Sequence, residues 1–274
     1  MKKNALLIID GQNDFCDPTG SLYVPGAEKD MERIAAFIER NGLKIDYIGM
    51  TQDSHQVIDI SHPSYWQDKD GNFAPPFTVI TSAQANAGEW TPRYMPKESI
   101  KYLQDLETEG KFVHVVWPEH CVIGSVGAAI YPVLMDAVKK WAKRGKFFQI
   151  VQKGQYPTTE HFGVFKAQIP VVNEPSTQLN QKLIQILEKY DNIFFVGEAK
   201  SHCTATSLQQ AMEFPELAKK FIVLDDCMSD VPGGPPNAPT FAEIAQPIYD
   251  EAVKMGIQFT KSVNIDLGVP VATH

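Results

Sequence analysis

Disulfide frameworks, basic tracts and membrane-length apolar runs are all missing from this 274-residue sequence. Its four cysteines (Cys16, Cys121, Cys203, Cys227) are scattered, with no C-x-x-C spacing. A chain of this size needs no cross-links to hold its core, so reduced thiols in a cytoplasm are expected. No Lys/Arg-rich run interrupts the charge balance, and 25 basic against 33 acidic side chains leave a net charge of −8. Nucleic acid and anionic membranes are therefore not expected as partners. No apolar run reaches the length of a membrane span. The start, Met1-Lys2-Lys3 and then Asn4 to Ile9, has only the outline of a signal peptide. Its short apolar stretch ends in Asp10-Gly11-Gln12-Asn13-Asp14, and it reads as a first strand. No G-x-G-x-x-G follows any predicted strand, and Gly233-Gly234-Pro235-Pro236 is too proline-rich to cradle a pyrophosphate. A dinucleotide-binding role is set aside on that ground.

What is present is an ordinary globular composition, 43% hydrophobic and 21% charged. Short apolar runs at Ala5–Ile9, Tyr47–Met50, Phe112–Val116, Phe147–Val151, Ile193–Val196 and Phe221–Leu224 are continuous rather than alternating. Strands buried on both faces of a parallel sheet read this way. Helical spacing appears between them, at Glu28–Asn41, Ala128–Arg144 and Gln178–Tyr190. The alternation predicts an α/β fold: a three-layer α/β/α Rossmann-like open sheet, mostly parallel, in one domain spanning residues 1–274. One long irregular stretch, about 56–96, is rich in Pro, Gly and aromatics. It predicts an ordered insertion over the sheet edge or the site's mouth. The segment Val263–Leu267 is expected to add an edge strand or a subunit contact.

Open α/β sheets bind ligands beyond the carboxyl ends of their strands, and nearly every predicted strand here ends in reactive side chains. Cys203 follows a buried strand through a short loop into a helix, where the dipole and free N–H groups favour thiolate and can stabilise an oxyanion. A thiol nucleophile needs a base and a compensating charge. Asp10, at the end of the first strand, is the natural base, and Lys153, at the end of the fourth, the natural cation. Asp14 fits a capping role better than a catalytic one. His202, beside Cys203, ranks below the Asp/Lys pairing because neighbours at a helix start point in different directions. Asp53-Ser54-His55 sets a carboxylate and an imidazole on one face of an extended segment, able to reach one ion. His120 is the favoured third ligand over His62, which lies inside the irregular stretch; His114 falls within a predicted strand. Such a set leaves positions open for water or substrate.

Taken together, Asp10-Gly11-Gln12-Asn13-Asp14-Phe15-Cys16 with Gly20-Ser21-Leu22, Thr51-Gln52-Asp53-Ser54-His55, Trp117-Pro118-Glu119-His120-Cys121, Lys153-Gly154 and Gly197 to Cys203 resemble the isochorismatase-like cysteine hydrolases, above all their nicotinamidase/pyrazinamidase branch. The resemblance implies an amidohydrolase that converts nicotinamide to nicotinate and ammonia through a thioester. It implies a catalytic triad of Asp10, Lys153 and Cys203. It also implies a divalent ion, commonly zinc with manganese or iron as alternatives, on Asp53, His55 and His120. An aromatic clamp falls on Phe15 and Trp117. Backbone N–H groups of Ala199 and Cys203 form the implied oxyanion hole, with a cis peptide at Glu198–Ala199. The expected partners are a small amide substrate and further copies of the chain, as a dimer or tetramer. Ser201 and His202 depart from the usual aspartate and tyrosine before the nucleophile. They motivate the alternative of another small amide, carbamate or ureide as substrate. A non-catalytic binding protein is the remaining, weaker alternative.

Overall fold

The apolar runs become strands because each can bury both of its faces. A computed structural model describes residues 2–109, 113–235 and 237–268. It contains β1 (Asn4–Ile9), β2 (Tyr47–Asp53), β3 (Trp66–Gln67), β4 (Thr91–Pro92), β5 (Phe148–Lys153), β6 (Asn192–Gly197), β7 (Phe221–Leu224) and β8 (Gln258–Thr260). Six of these form one sheet in the order β5-β2-β1-β6-β7-β8, and every pairing in it is parallel. Alternate residues of β1 serve opposite layers. Leu6 and Ile8 pack with Met31, Ile34 and Trp141. Ala5, Leu7 and Ile9 pack with Leu208, Ala245 and Ala252. Helices Ala27–Asn41 and Pro132–Ala142 thus cover one face, and Gln181–Leu187, Ala205–Met212 and Phe241–Lys254 the other.

The strand order reverses at β1, since β2 lies on one side of it and β6 on the other. Such a switch point opens a crevice at the carboxyl ends. Asp10, Asp53, Lys153 and the loop after Gly197 all border it.

Several expectations are corrected. The run at 112–116 does not join the sheet: Phe112 lies outside the described residues, and the place beside β2 is taken by β5. His114 and Val116 instead exchange backbone hydrogen bonds with Thr78 and Ile80, so the insertion supplies their partners. The last edge strand is Gln258–Thr260 rather than the 263–267 segment, where Ser262–Asn264 is a 3₁₀ turn. Helix Pro96–Thr108 was not anticipated, although Ser99, Tyr102, Leu103 and Leu106 form its buried stripe at helical spacing. Two of the three predicted helices are also shorter at their starts. Pro132 begins the helix expected from Ala128, and Asn180 caps the one expected from Gln178.

The 56–96 stretch is ordered. Ile60, Tyr65, Trp66 and Ile80 pack against Tyr102, Leu103 and Leu106, an apolar cluster separate from the two sheet layers. Thr81 and Gln84 cap the short helix Ser82–Ala87 reciprocally. The stretch also brings His62 beside His55 and His120, and Phe77 edge-on against Trp117.

Candidate active site

Asp10 leaves β1 with φ of 43°, which turns its carboxyl into the crevice. Thr51 fixes it twice. The Thr51 Oγ1 accepts from the Asp10 N–H at 2.8 Å and donates to Asp10 Oδ1 at 2.5 Å. The Lys153 Nζ lies 2.9 Å from Asp10 Oδ2, 3.0 Å from Asp53 Oδ1 and 3.7 Å from Cys203 Sγ. It also donates to the His161 carbonyl at 3.0 Å. Strand register brings this about, because Asp53 and Lys153 are directly paired on β2 and β5. Gly154 follows with φ of +79°, and a Cβ there would lie 2.7 Å from Asp53 Oδ1. Glycine is required at that position on both counts.

Burial works against the Lys153 charge, but Asp10 and Asp53 hold it well above the ordinary lysine range. Burial pushes the Asp10 carboxyl up, against the pull of Lys153. The Cys203 thiol is pushed up by burial too, with Lys153 opposing, and it hydrogen-bonds to Asp10. Desolvation therefore outweighs the dipole effect read from sequence. At rest the proton stays on sulfur, with a carboxylate beside it to receive it. Cys203 itself lies in a wide π-type turn, Lys200–Thr204, and the regular helix starts at Ala205. The peptide bond Glu198–Ala199 is cis.

The imidazoles form a second group. His55 Nε2 is 3.1 Å from Asp53 Oδ2, and His55 Nδ1 is 3.2 Å from Asp59 Oδ2. His120 Nε2 is 3.7 Å from the same Asp53 oxygen, and its Nδ1 sits 2.8 Å from the Pro118 carbonyl. The sequence set His120 against His62, yet the structure packs both with His55. Ring centroids lie 4.7 to 5.2 Å apart, and one ligand atom from each falls within 4.8 Å of the others. His62 is kept neutral, pushed down to about 3 by burial and then by His120 and His55. Its Nε2 accepts the His120 N–H at 3.3 Å. Asp53 is held well below the ordinary carboxylate range: burial opposes its charge, but His55 and Lys153 outweigh it. Three buried imidazoles beside an ionised carboxylate fit a divalent ion of zinc type. His114 is apart from them, packed against Trp66 and Tyr102.

A cavity opens onto both groups, walled by Phe15, Trp117, Phe162, His202, Ala199 and Cys203. Its aromatic walls suit a planar ring. Asp53, His120 and Glu160 also reach it. Burial lifts the Glu160 carboxyl to about 8. Ser201 Oγ accepts from Val231 N–H at 3.1 Å and meets His202 Nδ1 at 3.0 Å, which turns the imidazole toward Trp117 and Phe241.

Sequence reasoning missed Thr51, Gln12 and Glu160. Thr51 was detectable, since Thr51, Asp53 and His55 alternate on one face. Gln12 clasps the Asp53 backbone in both directions, at 2.7 and 2.8 Å. Nothing local in the sequence marks that long-range pairing. Asp14 does cap: its carboxylate accepts from Cys121 N–H at 2.7 Å and Ser21 N–H at 3.2 Å, tying the His120 loop down.

The fold is that of solved nicotinamidase structures. The sequence resembles nicotinamidases. It is 29% identical over 224 residues to the nicotinamidase of Saccharomyces cerevisiae, covering 81% of this chain and 85% of that one. The nicotinamidase/pyrazinamidase of Mycobacterium tuberculosis is 26% identical over 208 residues, 76% of this chain and 78% of its own. Among solved structures, the yeast nicotinamidase bound to the inhibitor nicotinaldehyde superposes with a TM-score of 0.64 at 23% identity, over 94% of this chain and 99% of that one. The pyrazinamidase of Pyrococcus horikoshii in complex with zinc gives 0.53 at 18% identity, over 94% and 99%. These two likenesses are of fold. No family model matches the chain.

Proposed function

We propose that the protein is a cysteine-dependent amidohydrolase that converts nicotinamide to nicotinate and ammonia through a thioester. The observation that carries this reading is the Lys153 ammonium, 3.7 Å from the Cys203 sulfur and ion-paired to both Asp10 and Asp53, where Cys203 and Asp53 themselves line an aromatic-walled cavity. The nicotinamidase activity of the yeast and mycobacterial relatives supports the choice of substrate.

In this reading Asp10 takes the Cys203 thiol proton as sulfur attacks the carboxamide carbon. Lys153 offsets the negative charge that then moves between the two groups. The N–H groups of Ala199 and Cys203 hold the oxyanion. Asp10 returns its proton to the leaving nitrogen, ammonia departs, and a thioester remains on Cys203. Asp10, again a carboxylate, accepts a proton from the water that attacks this thioester, releasing the acid and restoring the thiol. Phe15 and Trp117 sandwich the ring. Asp53, His55 and His120, with His62 beside them, would hold a divalent ion; zinc is our choice, supplying Lewis acidity toward a ring nitrogen or a water. We also read the chain as one hydrolase domain carrying the 56–96 stretch as an insertion.

The test is ammonia release from nicotinamide by purified protein, with Cys203→Ala as control. Turnover that vanishes in the variant supports the reading; comparable turnover in both refutes the nucleophile. A second reading, hydrolysis of a different small amide or ureide, is favoured by the imidazole of His202 in the cavity wall. Ammonia from such compounds and none from nicotinamide would establish it.

A further inference from the structure

Glu198, the residue before the cis peptide, is fully buried, and the mechanism above does not use it. Its Oε2 accepts the Ser229 N–H at 3.0 Å. Its Oε1 is buried and meets no donor among the described residues. The side chain hydrogen-bonded to the Glu198 carboxyl is Asp30, also a carboxyl group and itself buried. Asp30 is already engaged as an acceptor, from the Ser229 hydroxyl and from Arg33. Two acceptors cannot share a bond without a proton between them, so one of the two carries it; Asp30 faces the Arg33 cation, which favours its charged form and leaves the proton to Glu198. Burial, with Asp30 as the nearest charge, points the same way by raising the Glu198 carboxyl well above the ordinary range.

Ser229 closes the circuit. It donates its N–H to Glu198, donates its hydroxyl to Asp30, and accepts the Lys200 N–H at its carbonyl at 2.8 Å. The residues on either side of Ala199 are therefore both pinned to Ser229, and Asp30 pins Ser229 to the first turn of helix Ala27–Asn41.

Resting on the oxyanion role given to Ala199 above, we propose that Glu198 is a positioning residue: as a neutral acid bridging Asp30 and Ser229, it aims the Ala199 N–H at the reacting carbonyl. The neutral acid is both donor and acceptor, a pattern that glutamine reproduces and alanine does not. Glu198→Gln keeps a donor for Asp30 and an acceptor for Ser229 in the same space.

The experiment compares the parent, Glu198→Gln and Glu198→Ala for kcat and KM of ammonia release. Hydrogen–deuterium exchange of the 197–204 segment is measured in the same proteins without substrate. Glu198→Gln should stay within about threefold of the parent. Glu198→Ala should lose about 10- to 100-fold in kcat with KM little changed, as expected for a displaced oxyanion donor, and its 197–204 amides should exchange faster. Equal impairment in the two variants would mean that an ionised carboxylate is needed and would overturn the proposal. So would an alanine variant with parental kcat and parental exchange. If the parent releases no ammonia from nicotinamide, the substrate reading fails. The exchange data, and kcat on whichever amide the parent does cleave, still decide the role of Glu198.

Discussion

Thr51→Val removes one hydroxyl and keeps the side chain's shape, so its effect isolates the clasp on Asp10. The Thr51 hydroxyl makes two hydrogen bonds, both fully buried. Losing it strands the Asp10 N–H, at a cost of about 1–3 kcal/mol for an unpaired buried donor. It also deprives a charged oxygen of a donor, worth about 1.5–3 kcal/mol. The two share an atom and are not additive, so the expected loss is about 2–4 kcal/mol in urea unfolding. The pH profile adds an independent readout. Thr51 is among the groups that lower the Asp10 carboxyl, which burial has already raised. Without it Asp10 rises further. The carboxylate is the form that accepts the thiol proton, so the acidic limb of kcat/KM should move to higher pH. Thr51→Ser restores the hydroxyl and should return both quantities toward the parent. A valine variant within about 0.5 kcal/mol of the parent, an ordinary surface-mutation effect, and with an unmoved acidic limb, would refute the clasp.

Lys153→Met leaves two buried carboxylates without their shared cation. It should cost about 3–5 kcal/mol in stability, and ammonia release should fall below detection; a folded variant of parental stability would contradict the ion-pair geometry. Gly154→Ala sets a Cβ against Asp53 at a positive φ. Melting temperature and metal content should both drop, and a variant equal to the parent in both would deny the close approach. His62→Ala should weaken metal retention by about 10-fold or more against a chelator, read by elemental analysis; an unchanged chelator midpoint would exclude His62 from the ion's surroundings.

Much of this was legible from sequence because parallel strands buried on two faces leave continuous apolar runs, and the crevice rule then marks the residues that follow them. Asp10, Asp53, Lys153 and Cys203 are brought together as those runs imply. Val113–Val116 misled because an apolar run states that a segment is buried, not what it pairs with; here the insertion supplies the partner. Gln258–Thr260, only half buried at the sheet edge, has no such run to announce it. His62 was discounted for lying in an irregular stretch. Its position depends on the turn from Asp59 to Ser61 and on Trp117 N–H bonding back to Ser61, contacts that no local pattern encodes. Glu198 was passed over as part of a loop, since its partner Asp30 lies far away in the chain.

The order of the sheet has a consequence for when the chemistry can first exist. β1 lies between β2 and β6, so Asp10 meets Asp53 on one side and the Cys203 loop on the other. β6 is the fourth of the six sheet strands to be synthesised. A growing chain that ends before it holds Asp10, Asp53 and Lys153 but lacks the Cys203 sulfur. Competence then arrives in one step, when β6 docks against β1. Turnover in a refolding experiment should accordingly lag the recovery of helical signal and coincide with the closing of that single strand pair, making catalysis a timer for the last central contact of the sheet.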